Sequence, residues 1–404
     1  MNNHQENLLA IFHAALSSVE GKTVVSNELE ADNDPYPYPA EFHVIAIGKA
    51  ADSMYQGVPH DRIKSALVIS KHGHISTAVE QDTKVRCVES DHPVPRENSI
   101  KAGEVLLDFL RELPEGEPCL FLISGGASAL VEVLNEGWDL SQLQELTDYL
   151  LANAYPIDQI NSIRRRLSAI KGGGLWRYLN GRPVNCLMIS DVPEDDPEVI
   201  GSGLLFLVDE KELPDLPERW KDKLNKINAP MWGGDFNWKI IASLEIAKEA
   251  AAVKAKSLGY SCKVVPDFLE NEASEAAINC VDALKKETGT LVIWGGETTV
   301  NLPSNPGMGG RNQHLALTAA KYITGTHEFY LLAAGTDGTD GLTDATGAIV
   351  DNQTIEKGLL KNLDVTDYLN RADSHSYFKQ TEGLITTGAS GTNVMDLVIG
   401  ICPN

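Results

Sequence analysis

The sequence of 404 residues is 43% hydrophobic and 23% charged, which is typical of a globular protein. Because this length exceeds what one hydrophobic core usually supports, it predicts two domains. The formal net charge of −23 argues against nucleic acid and against an anionic membrane surface as partners.

Cysteine usage and the N-terminal segment indicate the compartment. The six cysteines include no CxxC pair, and several lie in apolar runs, so we expect reduced, buried thiols. The N-terminal segment has no basic region followed by an apolar core, and no apolar run approaches membrane-spanning length. These patterns predict a cytoplasmic enzyme or binding protein.

The first candidate site residue follows the first predicted strand. Residues 5–20 have the apolar period of an amphipathic helix, and residues 43–47 form a predicted strand that ends in Gly48 and Lys49. A lysine between a strand and a helix lies at the carboxyl edge of a parallel sheet, where open α/β folds bind ligands. We therefore treat Lys49 as a candidate ligand-binding residue, with an ordinary surface lysine as the alternative.

A second junction follows the predicted strand 119–123. It consists of small residues that let backbone amides approach a phosphate, namely Ser124, Gly125, Gly126 and Ser128. The two serine hydroxyls can also donate to phosphate. Small residues equally allow a helix to pack closely on a strand, so one such junction is a weak signal, and its repetition along the chain gives it weight.

Two further charged residues follow predicted elements of this half. Lys171 precedes three glycines after a helix predicted over 158–169, where its ammonium offers an anion contact. Asp191 follows a strand predicted over 184–189 and precedes a proline-fixed turn. Three roles are open for its carboxylate: binding a cation, taking a proton from a hydroxyl, or only capping its own turn.

The alternation of strands and helices predicts an α/β fold. Residues 1–210 are expected to form an N-terminal domain with a doubly wound parallel sheet. The charged, proline-containing stretch 211–235 is expected to be a linker or a peripheral excursion, and residues 236–404 form the predicted second α/β domain.

The longest glycine-rich junction follows a strand predicted over 291–294. It opens with Gly295, Gly296 and Glu297 and ends at Arg311, where an apolar pattern of helical period begins. Amides beside glycines and a helix N-terminus attract anions, and an arginine grips phosphate or carboxylate through two hydrogen bonds. The alternative is that this loop only connects the strand to the helix.

Acidic residues follow the next predicted strand, over 328–333. Asp337 and Asp340 lie in a loop whose spacing fails the EF-hand pattern, so they either order the loop or contact Mg²⁺. Because strand ends of an open sheet share one edge, we expect these cations, serines and acids to converge in one crevice. Cations, acids and glycine loops together fit phosphoryl transfer with a divalent ion.

Eight segments in order resemble the class II, or MOFRL-type, glycerate 2-kinase family, which is also known under the name hydroxypyruvate reductase. The segments are residues 44–54, 90–99, 122–130, 160–174, 189–203, 295–313, 333–348 and 386–397. The resemblance implies ATP-dependent phosphorylation of D-glycerate at its 2-hydroxyl, giving 2-phosphoglycerate and ADP, with Mg²⁺. It also implies a Rossmann-like N-terminal domain, a C-terminal domain of MOFRL type, and an active site in the cleft between them.

The resemblance places the family's active-site lysine, arginine and acid on Lys49, Arg311 and Asp191. Asp191 and Glu297 are the candidate Mg²⁺ ligands. The residues expected to bind substrate or nucleotide are Ser124, Gly125, Gly126, Ser128, Lys171, Gly295, Gly296, Glu297 and Asp337. The expected partners are small molecules, D-glycerate and a nucleotide, with neither nucleic acid nor membrane, and a homodimer is left open.

The chain departs from the family pattern at several positions, including Ala127, Gly174 and His314. Because of these departures, a non-catalytic relative that binds sugar acids stays open, and the family's other name keeps an NAD(P)H-dependent hydroxypyruvate reductase open. The absence of GxGxxG argues against the reductase, and the absence of GxxxxGK[ST] argues against a standard P-loop.

Overall fold

The computed structural model describes residues 3–31, 38–208, 213–224, 235–323 and 328–404. Its helices are α1 (Asn3–Val19), α2 (Gly21–Leu29), α3 (Ala51–Gln56), α4 (Thr77–Glu80), α5 (Glu97–Glu112), α6 (Ala127–Leu130), α7 (Leu140–Ala152), α8 (Ile157–Leu167), α9 (Glu218–Leu224), α10 (Leu244–Ser257), α11 (Ala273–Lys286), α12 (Arg311–Ile323), α13 (Thr354–Leu360), α14 (Val365–Asn370) and α15 (Ser374–Thr381). Its strands are β1 (Phe42–Ile47), β2 (Ile63–Lys71), β3 (Val85–Ser90), β4 (Cys119–Ile123), β5 (Val184–Ile189), β6 (Phe236–Ala242), β7 (Ser261–Leu269), β8 (Thr290–Gly296), β9 (Tyr330–Gly335), β10 (Gly347–Asp351), β11 (Leu384–Ile385) and β12 (Asp396–Ile401).

The chain divides into two compact units. Gly21–Ile241 form one, called here the Rossmann unit, and Met1–Glu20 with Ala242–Asn404 form the other, the mixed-sheet unit. Helix α1 buries its apolar face, including Phe12, and packs against α10. This helix was expected to belong to the N-terminal domain, but its apolar stripe is covered by residues from the far end of the chain.

The stretch predicted as a linker or excursion, 211–235, lies partly outside the described residues. Within its described part, α9 packs onto the Rossmann unit. Trp220 and Leu224 are buried in a cluster with Leu146 and Ile163 from α7 and α8. An apolar face therefore holds this segment to the unit.

The Rossmann unit is built on a six-stranded sheet in the order β3-β2-β1-β4-β5-β6. The pairs among β1 to β5 are parallel, as predicted for a doubly wound sheet. Strands β1 and β4 are buried at every residue, because helices cover both faces of such a sheet. The strand order reverses between β1 and β4, and this is the point where ligands bind in folds of this class.

The mixed-sheet unit contains a second sheet in the order β11-β10-β9-β12-β8-β7. Strand β12 lies between β8 and β9 and is antiparallel to both. The carboxyl ends of β8 and β9 therefore share one edge with the amino end of β12, where Asp396 pairs with Gly296 and Gly335. Strand β10 is absent from the sequence-based expectations because its five residues follow a long acidic loop without a periodic signal.

No single helix in the described part of the chain is long and apolar enough to cross a membrane. Helices α1 and α2 meet that test of length and composition only when taken together.

The junction after β1 gives a stability prediction. Gly48 has φ +139°, and a Cβ added there lies 2.1 Å from Ser124 Oγ and 2.6 Å from Ser124 O. We expect Gly48→Ala to cost about 3 kcal/mol or more through overpacking and backbone strain. In the control Gly116→Ala, with φ +73° and nothing within 4 Å, strain alone acts and costs about 1 kcal/mol. Calorimetry measures the Tm of both variants against the wild type. Equal decreases in Tm for Gly48→Ala and Gly116→Ala would contradict the packing argument.

Candidate active site

The residues after β1 and β4 are joined by hydrogen bonds at the switch point of the Rossmann sheet. The Lys49 amide donates to the Gly125 carbonyl at 2.9 Å, and the Ser124 amide donates to the Ile47 carbonyl at 3.0 Å. The Ala50 amide donates to Ser124 Oγ at 3.0 Å. The structure thus brings Lys49 together with the predicted glycine loop.

Gly126 is the member of this loop that requires glycine. Its φ of +85° is left-handed, and a Cβ there lies 3.3 Å from Lys49 Cγ and 3.0 Å from His92 Cδ2. Gly126 takes the left-handed position and Ala127 begins α6, so the departure at Ala127 does not strain the loop. His92 follows β3 and was not among the predicted site residues, although its histidine–proline segment belongs to the resemblance.

The two serines of the loop have different environments. Ser124 is fully buried, and its hydroxyl accepts the Ala50 amide, so it joins the two strand ends. Ser128 is half-buried, and its hydroxyl lies 2.7 Å from Ser202 Oγ. Helix α6 has only four residues, so any anion contact here depends on side chains and single amides rather than on a helix dipole.

Lys171 is fully buried rather than open to a ligand. Its ammonium lies 2.5 Å from a Glu132 carboxylate oxygen and donates to the Val131 carbonyl at 3.2 Å. Burial lowers the pKa of Lys171, against the attraction of Glu132. The expected anion contact is therefore replaced in this structure by an internal ion pair, because the three following glycines let the chain turn inward.

Asp191 lies at the same edge of the Rossmann sheet as Lys49. It is half-buried and follows β5 by two residues, and β5 is the parallel neighbour of β4. Asp191 thus lies at the carboxyl edge of the sheet, where the sequence predicted it.

Gly295 and Gly296 belong to β8 rather than to a loop, which corrects the sequence-based boundary. They pair with Leu397 and Asp396 of β12. A Cβ on Gly295 lies 2.7 Å from Leu244 Cδ1, and one on Gly296 lies 2.3 Å from the Leu269 carbonyl oxygen. Close packing of neighbouring elements explains both glycines.

Arg311 is held by two carboxylates at this edge of the mixed sheet. Its Nε and Nη2 donate to the two carboxylate oxygens of Asp396 at 2.5 and 3.1 Å. Its Nη1 donates to Glu297 at 2.5 Å. Burial disfavours the charged guanidinium, but the attraction of Asp396 and Glu297 outweighs it and raises the pKa of Arg311. The Asp396 carboxylate is almost fully buried, whereas Glu297 is about half exposed (46%), so Asp396 is the fixed partner.

The N-terminus of α12 already holds an anion from within the chain. The Asp340 carboxylate accepts the amides of Asn312 at 3.1 Å and Gln313 at 2.8 Å. Burial raises the pKa of Asp340 to about 6, and Asp396 adds to the rise, although the Gln313 amide opposes it. The helix amides that the sequence suggested for phosphate therefore bind Asp340.

Asp337 lies in the same loop as Asp340. Its Oδ1 accepts the amide and the hydroxyl of Thr339, each at 3.0 Å. A Cβ on Gly335 lies 3.3 Å from Asp396 Oδ1 and 3.6 Å from Asp337 Oδ1. Asp337 therefore both orders its own turn and lies near the carboxylate that holds Arg311.

The candidate Mg²⁺ ligands lie in different environments. Among the described residues, no group of three or more histidines, cysteines and acids is arranged to hold a metal ion. Mg²⁺ at phosphate sites commonly takes one or two carboxylates together with phosphate oxygens. Asp191, half-buried at the carboxyl edge of the Rossmann sheet, is the candidate for that role. Glu297 fits it poorly, because its carboxylate is bound by Arg311.

Polar clusters lie at the carboxyl ends of strands in both units, which is where α/β proteins bind small molecules. Comparison with known proteins identifies the family. Residues 7–217 match the model of a domain of unknown function, DUF4147, and residues 290–396 match the MOFRL family.

Similar proteins cover nearly the whole chain. A D-glycerate 2-kinase of Thermotoga maritima is 34% identical, over 89% of this chain and 90% of the relative. A relative from Agrobacterium vitis that carries the name of a hydroxypyruvate reductase is 33% identical, over 96% of this chain and 92% of the relative. The crystal structure of glycerate kinase from T. maritima superposes with a TM-score of 0.85 at 31% identity. The superposition covers 98% of this chain and 99% of that structure's chain. The chain therefore belongs to the MOFRL-type glycerate 2-kinase family.

Two departures from the family pattern are explained by packing. A Cβ on Gly174 lies 2.3 Å from the Ala169 carbonyl oxygen, so this backbone has no room for an arginine there. His314 is buried, with its Nε2 3.1 Å from Ser274 Oγ, and burial lowers the pKa of its imidazole.

Asp340 gives a pH prediction. A folded-state pKa of about 6 exceeds the usual carboxyl value of about 3.9, so ionisation costs more in the folded state. The stability of the wild type relative to Asp340→Asn should fall as the pH rises from about 4 to about 7, by up to about 3 kcal/mol. Urea unfolding of both proteins across this range measures the difference, with Asp267→Asn, an exposed carboxylate of the same unit, as the control. A difference that does not change with pH would contradict the assignment.

Proposed function

We propose that the protein is a glycerate 2-kinase that transfers the γ-phosphoryl group of ATP to the 2-hydroxyl of D-glycerate. The products are 2-phosphoglycerate and ADP. The observation that carries this proposal is the junction of Lys49 with Gly125 and Gly126 at the switch point of the Rossmann sheet. The family relationship supports the choice of glycerate over other hydroxy acids.

Lys49 supplies positive charge where the substrate and the transferred group are negative. Phosphoryl transfer depends mainly on positioning and on neutralising phosphate oxygens, and a lysine beside a glycine loop provides both. Gly126 has no side chain, so the Lys49 and His92 side chains can lie against the loop backbone. Ser128 contributes a hydroxyl to the same loop.

In the proposed function, Arg311 binds a carboxylate or phosphate group that replaces Glu297. Asp396 fixes the plane of the guanidinium through two hydrogen bonds. Glu297 is the more exposed partner and contacts only Nη1. An incoming anion can therefore replace Glu297 at Nη1 while Asp396 keeps the guanidinium in place. That Arg311 and Lys49 serve one bound substrate stays a prediction.

Asp191 is the proposed ligand of Mg²⁺ or the base for the 2-hydroxyl. Mg²⁺, when bound, neutralises charge on the phosphate oxygens. As a base, the Asp191 carboxylate accepts the hydroxyl proton as the oxygen attacks phosphorus. Both roles need a carboxylate at the carboxyl edge of the Rossmann sheet, which is where Asp191 lies.

The proposed compartment is the cytoplasm. All six cysteines are free thiols. Burial raises the pKa of Cys119 to about 12 and of Cys280 to about 12, so these thiols stay protonated and unreactive. Inert, unpaired cysteines suit a reducing compartment.

Lys49 and Arg311 give the central test. In a coupled assay of ADP release with D-glycerate, we expect Lys49→Ala and Arg311→Ala each to lower kcat/KM by about 100-fold or more, or about 2.7 kcal/mol. The kcat/KM of Arg311→Lys should lie between those of the wild type and Arg311→Ala, because lysine keeps the charge but loses the paired hydrogen bonds. Lys64→Ala and Arg86→Ala, at the amino ends of β2 and β3, are matched controls with exposed ion pairs.

Losses below about tenfold for both alanine variants would contradict the assigned roles. Phosphorus NMR of the product separates 2- from 3-phosphorylation. Oxidation of NADH with hydroxypyruvate, without ADP release from ATP and glycerate, would instead favour the reductase.

A further inference from the structure

The Rossmann unit contains a group of charged side chains whose charges do not balance. The Glu132 carboxylate is fully buried and paired with the Lys171 ammonium. Arg164 is the third member of the group, because its guanidinium is attracted by Glu132 and repels Lys171. Within the described residues, one carboxylate therefore faces two cations.

Arg164 makes few contacts for a residue that is half-buried. Its Nη2 donates to the Ser128 carbonyl at 3.4 Å. In the described part of the chain, no carboxylate forms an ion pair with its guanidinium. Burial lowers the pKa of Arg164, which reflects the cost of removing its charge from water. A guanidinium has five N–H donors, so most of them are left for water or a ligand.

The contact with Ser128 places Arg164 at the glycine loop. Ser128 Oγ lies 2.7 Å from Ser202 Oγ. The turn that carries Ser202 packs on the same loop, since a Cβ on Gly201 would lie 3.3 Å from the Ala127 Cβ. Arg164, Ser128 and Ser202 therefore form a group of donors beside the loop whose Gly125 carbonyl accepts the Lys49 amide.

A simpler explanation accounts for only part of this arrangement. Three arginines lie in the last turn of α8, where positive charge interacts favourably with the helix dipole. Exposed side chains would satisfy that interaction equally well. It gives no reason for Arg164 to lose hydration against Ser128 beside a Glu132–Lys171 pair whose charges already cancel.

We propose that Arg164 binds a phosphate group of the nucleotide, together with the hydroxyls of Ser128 and Ser202. This inference rests on the proposed kinase function and adds a binding residue that the sequence had not assigned. A phosphate supplies the missing negative charge and accepts paired hydrogen bonds from a guanidinium. Arg164 acts through binding, so its loss should affect the nucleotide more than the acceptor.

The test compares Arg164→Gln with Arg86→Gln. Arg86 belongs to the same unit but lies at the amino end of β3, in an exposed pair with Glu112. We expect Arg164→Gln to raise the KM for ATP and the calorimetric Kd for ADP by about tenfold or more. The KM for D-glycerate should change less than about twofold. Arg164→Lys should recover part of the loss, because it restores the charge but not the paired donors.

The outcomes separate the two proposals. A wild type that neither binds ADP nor phosphorylates glycerate contradicts the kinase function itself. An active wild type whose Arg164→Gln variant matches Arg86→Gln, or raises the KM for D-glycerate instead, overturns the role of Arg164. If Arg164→Gln does not fold at the assay temperature, Arg164→Lys is measured alone. Its KM for ATP should then rise about threefold or more, and an unchanged value overturns the proposal.

Discussion

The close approach of the chain after β1 to the chain after β4 is the constraint on which the Rossmann unit's site depends. Gly48 has no side chain, so Ser124 can lie against it and accept a hydrogen bond from the Ala50 amide. The parallel register that pairs Ile47 with Ile123 delivers both loops to the same edge of the sheet. Lys49 and Gly126 then meet because the strands end together.

The mixed-sheet unit builds its site from charges instead. The amides at the start of α12 are satisfied by Asp340, and the Arg311 guanidinium is oriented by Asp396. An internal carboxylate at a helix N-terminus removes the dipole as a ligand site but fixes the helix relative to the acidic loop. In the proposed function, this unit offers an anion the edge of the Arg311 guanidinium, in place of the exposed Glu297.

Several features could be predicted because their signals are local. The apolar runs of β4 and β5 and the glycine loop after β4 were predicted with the bounds that the structure has. Lys49 was predicted beside that loop because strand–glycine–helix junctions of a parallel sheet share an edge. The role of Asp396 was not predicted, because an acid at the amino end of an antiparallel strand resembles any strand-initiating residue.

Other features depended on partners that the local sequence cannot name. Gly295 and Gly296 suggested a phosphate loop, but neighbouring Leu244 and Leu269 require glycine within a strand. Lys171 suggested an anion contact, but Glu132, distant in the chain, binds its ammonium.

The sequence by itself determined the α/β class, the parallel sheet of the first unit and the family, because strand hydrophobicity and ordered motifs are properties of contiguous residues. Only the tertiary structure decided which charges are paired, which glycines serve packing, and that the N-terminal helix α1 belongs with the C-terminal residues. Pairing and burial depend on distances between residues far apart in the chain, and those distances are set by packing.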